Sequence, residues 1–292
     1  MDNSNRMSNI KDLLGDNYKL YPLKPLKKRV RQQLKKPEKR QPTVHLVVTE
    51  KGEKYKLLRA NEGSKNLLRI HNNKALLNRV DFAPKILFSD EQTVLTEYIE
   101  GTFPDLAGRD FAEALGKNLA YIYNVDIRMI KAEVLLKDIK SEMDFLVSHN
   151  ALNRNMAEKI WDIYVTFKPD EIRTSMVYAD LNKPDNYVII PEKRLFFIDI
   201  GSFQTERITG EFLLGGPLYE NLKRDIFKKS YLNEGGYELI FVHEKFIMLT
   251  NLIRLSAFYL RKYFNIPSYL FVLKTWQLIY SKKLIKKMET LC

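Results

Sequence analysis

The chain has 292 residues, 45% of them apolar and 29% charged, with 48 Lys and Arg against 36 Asp and Glu, for a formal net charge of +12. That composition suits a folded protein with a sizeable core, in one large domain or two lobes. The single cysteine, Cys292, excludes an internal disulfide framework and a cysteine-based metal site. No apolar run approaches the ~20 residues of a membrane span, and the N-terminus lacks the apolar core of a signal peptide, so a reducing, cytoplasmic setting is expected.

Residues 1–18 read as a polar lead-in. Residues 19–40 hold ten Lys and Arg against one acid, Glu38, and so carry nine of the twelve net charges. The basicity is local, and a solvated arm is the plain reading of such a run. Together, 1–40 form an N-terminal extension, or else a first part of the N-lobe, ahead of the lobe at 41–98. Within that lobe "PTVHLVVTEKGEKYKLLRA" reads as a β-hairpin, with Val44, Leu46 and Val48 alternating and Tyr55, Leu57 and Arg59 on one face. The spacing of Leu67, Ile70, Leu76, Leu77 and Val80 predicts a helix over 64–80, with Ser64 at its N-cap. "APKILFSDEQTVLTEYIEG" gives two more strands.

After Glu97–Gly101 the texture turns helical. "GRDFAEALGKNLAYIYNVDI" and "SEMDFLVSHNALNRNMAEKIWDIYVTF" are amphipathic helix candidates, and a helix-rich stretch runs from about 217 to the end. Embedded in this half are two short apolar strands, "MVYADLNKPDNYVII" and "RLFFIDIGSF". Strands first and helices after, with this hairpin inside the helical half, predict an α+β protein of two lobes, 99–292 forming the second.

The two embedded strands each deliver a carboxylate, Asp180 and Asp199, where a packed strand would avoid one. Such a group is costly unless paired, metal-bound or solvated in a cleft. Two close carboxylates repel, and a divalent cation relieves the repulsion. Mg²⁺ takes one or two carboxylates plus phosphate oxygens and water. With Asn186 before the connecting turn, the set suits phosphoryl transfer: one Asp orients or deprotonates a hydroxyl, while the Asn and the other Asp hold Mg²⁺. The plainer alternative is that both aspartates cap local turns.

"YADLNKPDNYVII…RLFFIDIG" resembles the catalytic and metal-binding loops of the protein-kinase-like fold, in its small-molecule branch of aminoglycoside phosphotransferases and choline kinases. "DFAPKILF", "LTEYIEG" and "LGKNLAYIYNVDI" fall in the order that branch shows, and "KYKLLRA" resembles its cation-bearing strand. The resemblance implies a bilobal fold, a small β-rich N-lobe with one main helix and a larger, mostly helical C-lobe. It implies an ATP- and Mg²⁺-dependent kinase acting on a hydroxyl of a small molecule, sugar or lipid-linked glycan. By residue, it makes Asp180 the base, Asn186 and Asp199 the metal ligands, Arg59 the partner of the nucleotide phosphates, and the backbone of Glu97, Tyr98 and Ile99 the adenine contact. A guanidinium at 59 can fork two phosphate oxygens.

Four departures stand out. Asp180 to Asn186 is six residues rather than five, which leaves Asp185 as an alternative metal ligand. Tyr178 replaces a His, no glycine-rich loop lies between Gly15 and Gly52, and the 64–80 helix has no Glu, leaving Glu62, Asn72 or Asn73 as stand-ins. These motivate a second reading, a kinase-like binding module that holds an anionic partner through residues 19–40. The basic, aromatic C-terminal third admits peripheral contact with the inner membrane face, although core on one side and solvated lysines on the other is its plainer reading. A nucleic-acid partner is not favoured, and His45, His71, His149 and His243 lack metal-ligand spacing.

Overall fold

In the computed structural model the described residues are 13–15, 17–23, 43–60, 64–266 and 271–291. Glu62, Cys292 and residues 24–40 of the basic segment lie outside them. The described chain divides into two compact units: residues up to Pro104 together with Asp185–Phe203, and Asp105–Pro184 together with the residues from Gln204 on. The sequence paired the strand before Asp180 with the strand before Asp199 inside a continuous 99–292 lobe, whereas the hairpin that forms lies within 185–203 and groups with the strands of the first unit, and Asp180 belongs to the second.

The first unit is built on a five-stranded sheet in the order β1-β2-β3-β5-β4, from β1 (Tyr18–Pro22), β2 (Thr43–Thr49), β3 (Lys54–Arg59), β4 (Ile86–Ser89) and β5 (Thr93–Glu97). The strands β2 and β3 pair antiparallel around Gly52, whose φ of +80° suits a residue without a Cβ. Strand β1 pairs antiparallel with β2 from Tyr18↔Thr49 to Pro22↔His45, so Tyr18 of the expected lead-in and Lys19–Pro22 at the head of the basic segment belong to the sheet. Leu14, Val47, Leu57 and Leu95 form the core of one face, packed by Tyr18, Tyr55 and Phe88.

Helix α1 (Lys65–Asn72) buries Leu67 and Ile70, and short α2 (Lys74–Leu77) follows it. Ser64 is the N-cap residue, in extended backbone, without a side-chain capping bond. The hairpin of β8 (Tyr187–Ile189) and β9 (Leu195–Phe197) joins this unit through the Phe197 N–H, which donates to the Phe82 carbonyl at 2.9 Å, and through a bridge of Thr102 with Ile189. Phe197 packs against Phe82, Tyr187 and Phe203.

The second unit contains α3 (Arg109–Ile122), β6 (Arg128–Lys131), α4 (Glu133–Ser148), α5 (Arg154–Thr166), β7 (Glu171–Tyr178), β10 (Phe203–Ile208), α6 (Pro217–Asn221), α7 (Arg224–Asn233), α8 (Leu239–Val242), α9 (Glu244–Asn265) and α10 (Phe271–Glu289). Phe203, the first residue of β10, belongs to the other unit. Strand β7 is central in the sheet β10-β7-β6 and is buried from Ile172 to Tyr178. The candidate helix over 141–167 is two helices, because Asn150 adopts φ +54° and Asn153 caps α5 by accepting from the Asn155 N–H at 2.9 Å. Helix α3 meets α7 at Gly116, where a Cβ would stand 2.7 Å from the Phe227 carbonyl oxygen, and Ser230 donates to the Glu113 carbonyl at 2.8 Å. Helices α9 and α10 pack together, with the rings of Tyr259 and Tyr280 4.8 Å apart. Among the described residues no helix is long and apolar enough to cross a membrane.

Candidate active site

Strand alternation decides which cation of β3 meets the hairpin. Leu57 faces the core of Leu14, Val47 and Leu95, so Tyr55 and Arg59 share its face while Lys56 and Leu58 take the other. The Lys56 ammonium donates to the Ile198 carbonyl at 3.1 Å, one residue before Asp199. Burial lowers the Lys56 pKa, and the Asp199 carboxylate opposes that shift by holding the ammonium charged. The residue expected to hold phosphate, Arg59, ends the strand on the opposite face and pairs in the ladder with Thr43 and Thr93.

Asp199 is half-buried just after β9 and heads the 3₁₀ turn Ile200–Ser202. One carboxylate oxygen accepts from the Gly201 N–H at 3.2 Å, and the other accepts from the Ser202 hydroxyl at 2.9 Å. The turn-capping role is therefore real, and it leaves lone pairs on both oxygens. A Cβ at Gly201 would stand 3.3 Å from the carboxylate, so glycine lets the loop close on Asp199.

Arg69 of α1 completes the group. Its guanidinium donates to the Gly201 carbonyl, and burial lowers its pKa against the pull of Asp199. The helix carries no acid, and it is the cation Arg69 that reaches the loop. Of the proposed stand-ins, Asn73 donates to the Arg69 carbonyl at 2.9 Å, within the helix end.

Asn186 ends the 3₁₀ turn Pro184–Asn186 and is buried, whereas Asp185 is exposed. The Ile198 N–H donates to the Asn186 carbonyl at 2.9 Å, which sets Asn186 across the hairpin from the residue preceding Asp199. Glu97 closes β5. Its carboxylate accepts from the Lys85 N–H at 3.1 Å, and its own N–H donates to the Lys85 carbonyl at 3.0 Å. Tyr98 and Ile99 follow, half-buried, and Gly101 is held so close to the hairpin that a Cβ would lie 2.6 Å from the Ile189 carbonyl oxygen.

In the second unit, Asp180 stands half-buried two residues beyond β7 and forms an ion pair with Lys183. The Asn182 side chain accepts from the Leu218 N–H at 2.8 Å and so anchors the loop beside α6. Burial, then Tyr280, then Asp180 raise the pKa of the Tyr259 phenol, which places Asp180 within electrostatic reach of α9. Elsewhere in this unit Glu211 is buried between Arg254 at 3.0 Å and Arg207 at 3.5 Å, a structural network.

A divalent cation can be tested against this donor set. Among the described residues no cluster of three or more His, Cys, Asp or Glu exists to hold a metal unaided. One carboxylate and one amide, Asp199 and Asn186, are hard oxygen donors that suit Mg²⁺ only when phosphates and water complete its shell. The residues fit a nucleotide-borne Mg²⁺.

The fold is that of the protein-kinase-like small-molecule phosphotransferases. The macrolide 2′-phosphotransferase of Brachybacterium faecium superposes with a TM-score of 0.65 at 10% identity, over 96% of this chain and 97% of that one. An aminoglycoside 2′-phosphotransferase in complex with GDP gives 0.60 at 13%, over 99% of both chains. An ethanolamine kinase of Plasmodium vivax gives 0.59 at 12%, over 97% of this chain and 85% of that one. By sequence, no family model and no curated protein matches the chain.

The cations that reach the Asp199 loop, Lys56 and Arg69, were the residues that sequence reasoning missed. A signal for Lys56 existed: Tyr55, Leu57 and Arg59 share one face, and a strand period of two assigns Lys56 to the other. No sequence signal pointed to Arg69.

Proposed function

We propose that this chain is a phosphotransferase that moves the terminal phosphoryl group of ATP to a hydroxyl of a small molecule. The observation that carries the reading is the Lys56 ammonium set beside the Asp199 loop, one strand from the buried Asn186, in a fold shared with small-molecule phosphotransferases.

In this reading Lys56 takes the nucleotide phosphates, the role first given to Arg59, because its face of β3 is the one that meets the loop. Asn186 and Asp199 hold Mg²⁺ against those phosphates, with Asp185 the alternative to Asn186. The backbone of Glu97, Tyr98 and Ile99 receives the adenine. Mg²⁺, when bound, offsets the charge on the transferred group and its leaving oxygen. Asp180 accepts the proton of the acceptor hydroxyl as that oxygen attacks the terminal phosphorus and ADP departs. The acceptor class stays open among small alcohols, sugars and lipid-linked glycans.

The test is nucleotide consumption with Mg²⁺ and a panel of hydroxyl acceptors, read as ADP release and as phosphate on the acceptor. Phosphoryl transfer that Asp180→Asn abolishes supports the reading. Transfer unchanged in that variant, or no nucleotide binding by the wild type, defeats it.

A further inference from the structure

We infer that Arg69, with Lys56, supplies fixed positive charge at the Asp199 loop in place of part of a divalent cation's charge, so that the chain holds adenine nucleotides with little dependence on Mg²⁺. The inference rests on the nucleotide-site reading above and concerns how that site is charged.

Three ionised side chains set the local sum. Lys56 and Arg69 contribute two positive charges and Asp199 one negative, so the group carries +1. An acid at position 69 would change the same sum to −1. The difference is two charges, the charge of one divalent cation. The positions are not interchangeable with surface charge. The Lys56 ammonium is fixed on the Ile198 carbonyl at 3.1 Å, and the Arg69 guanidinium is fixed on the Gly201 carbonyl, so both flank Asp199 from backbone anchors. Both are partly desolvated, which strengthens their field at a nearby phosphate.

Arg69 is also not saturated. Its Nε is buried and has no hydrogen-bond partner among the described residues, so a donor of a fork-shaped cation remains available for an anionic oxygen brought near by small adjustment. A guanidinium N–H that is buried without a partner is costly, and an incoming phosphate would relieve it.

The experiment is calorimetric titration of the full chain with ADP and with ATP, in Mg²⁺ and in excess EDTA. For the wild type, Kd should differ by less than about fivefold between the two buffers. In Arg69→Gln the ratio of Kd in EDTA to Kd in Mg²⁺ should widen by about tenfold, because Mg²⁺ covers the lost charge and EDTA does not. Arg69→Lys, which keeps the charge, should restore the ratio.

Wild-type binding that appears only with Mg²⁺ overturns the inference and leaves the nucleotide site standing. Equal weakening of Arg69→Gln in both buffers also overturns it, because a merely structural role moves both values together. No binding in either buffer overturns the nucleotide-site reading, and the inference with it. Thermal melts report whether Arg69→Gln folds, and if it does not, the wild-type comparison decides alone.

Discussion

Lys56 and Arg59 stand three positions apart on one strand and face opposite sides of the five-stranded sheet, and Lys56 is anchored at the Asp199 loop. Its ammonium is held there against the cost of burial, which lowers its pKa. Lys56→Met should therefore abolish nucleotide binding while raising the melting temperature by roughly 2 °C, the pattern expected where a site carries a destabilised charge. Arg59→Met should leave nucleotide Kd within about twofold. Calorimetry and thermal melts of the two variants check both statements, and a stability loss in Lys56→Met would contradict the first.

The same residue gives a pH dependence. A lysine whose folded pKa is depressed binds its proton more weakly in the native state, so between that lowered value and the ordinary 10.5 the unfolded chain holds more protons. Stability contributed at this site should rise with pH through that window. Comparing denaturation midpoints of wild type and Lys56→Met from pH 8 upward should show the wild type gaining on the variant.

Buried tyrosines set the opposite trend in the second unit. Tyr164 stacks on Phe246 at 4.5 Å, donates to or accepts from the Thr250 hydroxyl at 3.1 Å, and has its phenol pushed up to about 12, chiefly by burial. The unfolded chain releases this proton near 10 while the native chain keeps it. The stability is fully present below pH 10 and is lost as pH rises toward 12. Tyr164→Phe should flatten the alkaline decline by an amount of order 2 kcal/mol, measured by denaturant titrations at pH 9 and 11.5.

How legible this was depended on the element. Alternating apolar residues announced β2 with β3 and β4 with β5, because those patterns are local. The expectation that Asp180 and Asp199 stand on two paired strands fails, since Asp180 follows β7 of the sheet β10-β7-β6 while Asp199 follows β9, which pairs with β8. Strand β1 was hidden, since Tyr18–Pro22 lies at the head of a basic, Pro-punctuated stretch and pairs with residues 23 to 31 positions away. The break between α4 and α5 depends on Asn150 in the left-handed region, which asparagine tolerates without advertising it. Arg69 was not legible, because a cation on a helix carries no local sign that it meets a carbonyl 132 residues away.

The extra residue between Asp180 and Asn186 can be assigned by mutation. Asn186 is buried and tied to Ile198, while Asp185 is exposed. Asn186→Ala should reduce Mg²⁺-supported transfer by more than about tenfold, and Asp185→Asn by less than about threefold, both of order one lost ligand or one surface charge. Rates at several Mg²⁺ concentrations separate the two, and the reverse ranking would hand the metal to Asp185.

Asp180→Asn should cut phosphoryl transfer by about 10²- to 10⁴-fold with nucleotide Kd unchanged, the range for loss of a general base. Equal losses in binding and turnover would speak against that role.

Gly101 tests how the hairpin is seated. A Cβ there would meet the Ile189 carbonyl oxygen at 2.6 Å and the Val188 Cβ at 3.0 Å. Gly101→Ala should destabilise the first unit by about 1–3 kcal/mol, as overpacking does, seen as earlier hydrogen exchange at Thr102 and Ile189.

The first unit is discontinuous, and that has a consequence for how the chain is made. Lys56 and Arg69 find their carbonyl partners 142 and 132 residues later, beyond an insertion that runs from Asp105 to Pro184. At synthesis rates of about 5–20 residues per second, those eighty residues take roughly 4–16 s to emerge. Through that interval the sheet and α1 exist without the hairpin that Lys56, Arg69 and Gly101 are shaped to receive. The five-stranded sheet is thus made before the hairpin that completes its unit, and that assembly is finished only after the helices between Asp105 and Pro184 have been synthesised.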